Sequence, residues 1–376
     1  MAAAEAELGG SDRPCLHMLS AFLALEPPDI VISLAREFGG GSITESVQSC
    51  IWRRCISKAD LKWQGPFLRR FIKKLIVEIE SSGGLVLDEL YEYYASCVIP
   101  LKDDDSSVGN SKVFKTISFI FPEEYSEIIS CPKSRKLEVR LRSSVNMLEG
   151  DTGCSIWPSS LFMSEFILSF PDLFANKCCF EVGSGVGLVG ICLSHVKASK
   201  VILTDGDFST LANMKVNLEL NHLTTGNHTS GKLSHDEMVH CVCLPWESAS
   251  DDDLHSFAPD IILGADVIYD PSCLPHLVRV LSALLKRQHP YPELSTTRLD
   301  FDTSSGKETS NGAEKGPVAY IASVIRNINT FNCFLGLVEQ ANLVVTDLTE
   351  TIKASDFLPY LRSYDRSSIR IFRIHV

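Results

Sequence analysis

The sequence predicts an α/β protein with a doubly wound sheet, preceded by a helical region. From about Trp157 onward, short apolar runs of strand length alternate with helix-like stretches. Ahead of that point, the first hundred residues keep a helical spacing of apolar positions. A glycine-rich stretch directly after one of the apolar runs adds a strand-to-helix turn of the kind that lies at the carboxyl edge of such sheets. With 376 residues the chain has room for two or three domains, and 45% hydrophobic against 22% charged residues is a globular balance.

Residues 1–100 are expected to form a helical N-terminal region. Phe67 to Glu80 carries apolar side chains at positions 67, 68, 71, 72, 75, 76 and 79, with basic residues between them. Asp88 to Tyr94 resumes the pattern after the Gly83-Gly84 break. A polar linker is expected over 101–112, where Lys102 to Lys112 is charged and poor in core formers. A small β segment over 113–150 contains runs at Thr116–Phe121 and Leu137–Leu141, the second alternating apolar and polar residues. The doubly wound domain spans 151–376. Its expected strands are Cys178–Val182, Lys200–Thr204, Val239–Leu244, Asp260–Ala265, Val318–Ile325, Asn342–Asp347 and Ser368–Val376, with helices at Phe208–Leu220 and Leu274–Gln288 among others. Residues 289–317, rich in Ser, Thr, Gly, Pro and charge, are expected to be a disordered insertion.

Composition narrows the function classes. A net charge of −12 supplies no overall basic footprint, so no direct nucleic-acid partner is expected. No apolar run approaches the roughly 18–20 residues that span a bilayer, so no membrane role is expected either. Met1 to Asp12 is acidic and lacks the order of a secretory signal or transit peptide. Thirteen cysteines are scattered through apolar runs such as Cys178-Cys179, without a C-x-x-C pair, and the ten histidines form no ligand pattern. Reduced thiols, no metal and a cytoplasmic location are the expectation.

The stretch Phe180 to Gly190, FEVGSGVGLVG, carries the chemistry. A dinucleotide fingerprint starting at Gly183 needs glycine at 188, where Leu188 stands. The pattern is instead Glu181-x-Gly183-x-Gly185-x-Gly187. Its strand-end carboxylate suits a cationic ligand, such as the amino-acid end of S-adenosylmethionine, and is a poor neighbour for pyrophosphate. The competing explanation is a turn kept only for tight packing. Asp205 ends the next run, 22 residues after Gly183, where a carboxylate accepts hydrogen bonds from both ribose hydroxyls. Its alternative is a helix cap, a role Asp207 can fill. In Asp260 to Asp270, Asp266 and Tyr269 emerge at a strand's carboxyl end beside the same crevice; a loop Asp and a packed Tyr are the plainer alternative. Trp157 and Trp246 lie near strand ends, suited either to an adenine or to the core. Gly226 to Lys232 has P-loop spacing, yet Leu233 replaces the Mg²⁺-binding Ser or Thr, so nucleotide hydrolysis is not expected.

On these residues the chain resembles the seven-strand S-adenosylmethionine-dependent methyltransferases and, more narrowly, the protein-lysine methyltransferases of methyltransferase family 16. The shared pattern is G-x-x-x-W at Gly153–Trp157, E-x-G-x-G-x-G at Glu181–Gly187, an acid at Asp205, a Trp at Trp246 and D-x-x-Y at Asp266–Tyr269. Phe71-Ile72-Lys73-Lys74, Leu87 to Glu92 and Val324-Ile325-Arg326-Asn327 are similar to the branch acting on elongation factor 2. The resemblance implies a Rossmann-like sheet and S-adenosyl-L-methionine as cofactor. Its contacts would be Trp157, Gly183, Ser184, Gly185, Asp205, Trp246 and Ala265, beside the Glu181 already read from the residues. It further implies Asp266 and Tyr269 as the substrate-side catalytic motif, and elongation factor 2 as the protein partner methylated on a lysine amine. Asp266 is expected to grip that amine and Tyr269 to flank its channel. The rival readings are a small-molecule methyltransferase and an inactive binding scaffold. A nucleic-acid enzyme fits poorly, because Ala265 to Tyr269 stands where an N-P-P-Y-type motif would be.

Overall fold

The computed structural model describes residues 13–98, 112–121, 136–144, 152–224, 238–286, 316–352, 358–359 and 364–376. The expected linker up to residue 111, the insertion from 289 to 315 and the Gly226–Lys232 segment lie outside the described residues.

Five helices form the N-terminal part: α1 (Arg13–Leu23), α2 (Pro28–Phe38), α3 (Glu45–Arg54), α4 (Leu61–Ser81) and α5 (Asp88–Val98). Pro28 opens α2, where its missing N–H costs nothing, and the Thr44 hydroxyl caps α3 by accepting from the Val47 N–H. In α4 the expected stripe is buried from Phe67 to Ile79, while Arg69, Arg70, Lys73 and Lys74 face solvent. The stripe closes over Met18, Phe22, Leu34 and Ile51. Phe22 sits edge-on to Phe67 and Phe71 at 5.5 and 5.2 Å between ring centres. The helix starts at Leu61 and runs through Pro66, six residues before the spacing makes it legible.

Strands β1 (Lys112–Ile120) and β2 (Lys136–Ser144) pair antiparallel, with Ile117 opposite Val139 and Phe119 opposite Leu137. Then follow α6 (Pro158–Ser169), β3 (Cys178–Val182), α7 (Leu188–His195), β4 (Lys200–Asp205), α8 (Phe208–Leu220), β5 (Val239–Cys243), α9 (Asp251–Phe257), β6 (Ile261–Ala265), α10 (Leu274–Leu285), β7 (Val318–Val324), α11 (Ile328–Gln340), β8 (Val344–Asp347), β9 (Leu358–Pro359) and β10 (Ile369–His375). The main sheet has the order β5-β4-β3-β6-β7-β10-β8. Its first five strands are parallel, and β10 runs antiparallel between β7 and β8.

Side chains alternate across the sheet, as the strand repeat of two demands. Phe180, Val182, Ile202 and Ile262 join the core under α10 and α11. Cys179, Val201, Leu203 and Leu263 join the core under α6 and α7. The chain enters at β3, runs outward to β5 and returns to β6 on the other side of β3. The carboxyl ends of β3 and β6 therefore form the switch point where such sheets open a crevice.

The small β segment is larger than expected, because β9 from the far end of the chain pairs with the free edge of β1. Its other edge, β2, is held by α8. Asn213, Asn217 and Asn221 recur every four residues and present their amides in a row. The Arg142 and Arg140 backbone N–H groups donate to Asn217 Oδ1 and Asn221 Oδ1 at 2.7 and 3.0 Å. The asparagine Nδ2 groups donate back to the carbonyls of Arg142 and Arg140. Asn217 Nδ2 also donates to the Val186 carbonyl at 2.9 Å, in the turn after β3. Asn217→Leu orphans several of these groups, and buried unpaired backbone groups cost about 1–3 kcal/mol each. The variant is expected to lose about 2–4 kcal/mol of stability, read as a lower midpoint in urea unfolding.

Candidate active site

The turn after β3 is built from its backbone outward. Gly183 and Gly185 have φ of +63° and +53°, a region that L side chains rarely adopt. A Cβ on Gly183 would meet Val267 at 3.1 Å and the Trp246 ring at 3.5 Å, and one on Gly185 would lie 3.0 Å from the Gly153 carbonyl. Both positions need glycine for the turn, and it leaves backbone facing the crevice. Ser184 latches the turn to β4. Its N–H donates to the Thr204 carbonyl at 2.8 Å, and its Oγ accepts from the Thr204 N–H at 3.0 Å. The Thr204 hydroxyl donates to the Glu181 carbonyl at 2.7 Å.

Glu181 is 2% exposed, and its Oε2 has no hydrogen-bond partner among the described residues. Burial pushes its carboxyl up to about 8; the charge of Asp205 adds to that and the Ser184 hydroxyl opposes it. A buried acid without a partner for one oxygen is an unsatisfied acceptor that calls for an explanation.

Asp205 ends β4 and is half-buried. Its Oδ2 accepts from the Gly185 N–H at 3.1 Å and its Oδ1 from the Asp207 N–H at 3.2 Å. Burial raises its carboxyl, against the pull of these N–H groups. The cap of α8 comes from Asp207, which accepts from the Thr210 N–H at 2.7 Å, so Asp205 is not used as a cap.

The third element departs from expectation. Asp266 follows Ala265 at the end of β6, 7% exposed and with φ of +59°. Its carboxylate is held: Arg326 donates from both guanidinium nitrogens, at 2.9 Å to Oδ1 and 3.1 Å to Oδ2, and the Val324 N–H donates to Oδ1 at 3.3 Å. The guanidinium lies 5.2 Å from the centre of the Trp157 ring, and the Trp157 indole N–H donates to the Thr152 carbonyl at 3.0 Å. Asp266 is thus one half of an ion pair rather than a free anion. In the sequence Arg326 stands out only within the Val324–Asn327 resemblance, since nothing in a 60-residue separation signals the pairing. Tyr269 projects at the mouth, 61% exposed. Partial desolvation raises its phenol, and Cys273, Asp205, Asp270 and Glu247 add to this, so it stays protonated at neutral pH.

The expected residues therefore fall into two neighbouring groups on one edge of the sheet. Glu181, Gly183, Ser184, Gly185, Asp205 and Trp246 surround the turn after β3, and Trp157, Ala265 and Asp266 lie by the ends of β6 and β7, joined by Arg326, which was not among them. Tyr269, three residues beyond Asp266, feels the charge of Asp205 from the first group. Among the described residues, no group of three His, Cys, Asp or Glu side chains could hold a metal ion. Nor is any described helix long and apolar enough to cross a membrane.

A seven-strand sheet of this order, with acids at the tips of adjacent strands around a glycine turn, is the frame of a methyl-transferring enzyme. The family model for lysine methyltransferases matches residues 136–295. An uncharacterized protein of Dictyostelium discoideum is 30% identical over 329 residues, 82% of this chain and 81% of its own length. Protein-lysine N-methyltransferase EEF2KMT of Homo sapiens is 26% identical over 270 residues, covering 71% of this chain and 68% of that protein. Protein-lysine N-methyltransferase EFM3 of Saccharomyces cerevisiae is 28% identical over 166 residues, 40% of this chain and 45% of that protein. The chain belongs to this lysine methyltransferase family and is an enzyme that takes its methyl group from S-adenosyl-L-methionine. The residues present fit that donor: the orphaned oxygen of the buried Glu181 suits its ammonium.

The buried acid has a stability consequence. Its folded value of about 8 lies above the ordinary 4.5, so the folded state prefers the neutral form. The stability contributed by that form is complete below about 4.5 and is lost as pH rises through about 8. Without ligand, Glu181→Gln is expected to melt near wild type at pH 5 and above it at pH 8.5, by scanning calorimetry.

Proposed function

We propose that the enzyme methylates the side-chain amine of a lysine in elongation factor 2, in the cytoplasm. The observation that carries methyl transfer at this site is the dry, unpartnered Glu181 oxygen beside the glycine turn. A protein substrate is supported by the rim. Phe208, Tyr269 and Ile328 follow β4, β6 and β7, and are 77%, 61% and 59% exposed around the same edge. Exposed apolar side chains after three strands of one edge suit a macromolecule better than a metabolite. Elongation factor 2 rests on the named relatives and on the N-terminal motifs.

In this reading Glu181 takes the donor's ammonium and Asp205 accepts from its ribose hydroxyls. The backbone of Gly183, Ser184 and Gly185 lies along it, Trp246 and Trp157 border it, and Ala265 supplies a small wall. Asp266 and Tyr269 orient the incoming amine. When bound, S-adenosylmethionine supplies a methyl on a sulfonium, already a good leaving group. The chain's own task is then alignment and exclusion of water rather than covalent catalysis.

Asp205→Asn is expected to weaken S-adenosylhomocysteine binding by about ten- to a hundredfold in calorimetry, the range for losing charge-assisted hydrogen bonds. Asp266→Asn is expected to lower transfer by about a hundredfold with cofactor affinity nearly kept, the signature of an interaction made beyond cofactor binding. Incubating wild type with labelled cofactor and a cytosolic extract is expected to give one band at the mass of elongation factor 2. Label in RNA or small metabolites would overturn the reading.

A further inference from the structure

The pairing of Asp266 with Arg326 changes what the carboxylate can do for a substrate amine. A lysine amine attacks through its lone pair, so it must be neutral, yet its free value is about 10.4. An opposite charge within about 4–6 Å moves a titrating group by roughly 1–3 units toward its charged form. A bare carboxylate would therefore pin the amine as an ammonium. The surrounding wall already leans negative. Asp205 at the end of β4, Glu247 beyond β5 and Asp270 beyond β6 all act on Tyr269.

We propose that Arg326, a positioning residue acting through Asp266, cancels the carboxylate's charge so that a lysine amine beside it sheds its proton before attack. This rests on the reading of Asp266 as substrate-facing. The geometry supports it in three ways. Both guanidinium nitrogens engage both carboxylate oxygens, the fork arrangement that only arginine makes. The Trp157 ring lies against the guanidinium and limits the directions it can turn. Oδ2 receives only one of the donors described, so it retains capacity to accept an N–H from a neutral amine and orient it. Asp266 then steers by a hydrogen bond, not by attraction of charge. In the step itself, the ammonium first releases its proton to water. The amine's lone pair forms the new N–C bond as the C–S bond breaks, its electron pair remaining on sulfur.

The test is a single-turnover pH profile from pH 6 to 10, with elongation factor 2 as substrate. It compares wild type, Arg326→Gln and Arg326→Lys, with S-adenosylhomocysteine affinity measured by calorimetry on each. Arg326→Gln is expected to move the acid limb up by about one unit. Arg326→Lys keeps the charge and is expected to hold the limb in place at a reduced rate. Cofactor affinity is expected within about threefold of wild type in both, far less than losing a charged contact. A pH-independent loss with the limb unmoved would overturn the inference, as would cofactor affinity falling in step with the rate. If Arg326→Gln does not fold, the double variant Asp266→Asn/Arg326→Gln, which leaves no unmatched charge, is expected to keep the wild-type limb; a raised limb there would also overturn it. If wild type itself transfers nothing to elongation factor 2, the proposed function falls and takes this inference with it.

Discussion

The site depends on the latch between the turn after β3 and the tip of β4. Ser184 and Thr204 exchange hydrogen bonds, and the Thr204 hydroxyl reaches on to the Glu181 carbonyl. These contacts hold two neighbouring strand ends in register and fold the glycines over the opening of α7. Glu181, on a central strand, keeps its side chain in a dry position that it would not choose on solvation grounds.

That arrangement trades stability for recognition. An acid held neutral by burial disfavours the folded state as pH rises, yet it is ready to ionise against a cation. Asp266 follows a different logic. It sits in a left-handed conformation, which costs of order 1–3 kcal/mol in a non-glycine residue, and its charge is matched by Arg326. One carboxylate is left short of a partner and the other is matched by a cation, a few residues from where β3 and β6 end side by side.

Much of this was legible in the sequence, for identifiable reasons. The buried strands are short apolar runs, so β3 was read to the residue and β4, β5, β6, β7 and β10 to within a residue or so at either end. Glu181, Asp205 and Asp266 could be placed because each ends such a run, and Asp207 could be named as the cap because it stands just before α8. What stayed hidden depends on distant pairing. The Arg326 contact with Asp266, the addition of β9 to β1 and the antiparallel setting of β10 each join segments far apart in the chain. Local periodicity carries no information about such partners. Ile325, read as a strand residue, lies past the end of β7 because the chain turns toward Arg326 there.

The asparagine row on α8 has an effect beyond holding the small sheet in place. β2 is the outer strand of that sheet, and an outer strand ordinarily offers a free backbone to any passing extended chain. At Arg140 and Arg142 both backbone groups are already taken by amides from the same molecule. β-pairing with another chain is thereby blocked at these two positions, and the charged side chains of Glu138 and Arg140 stand exposed on the same strand.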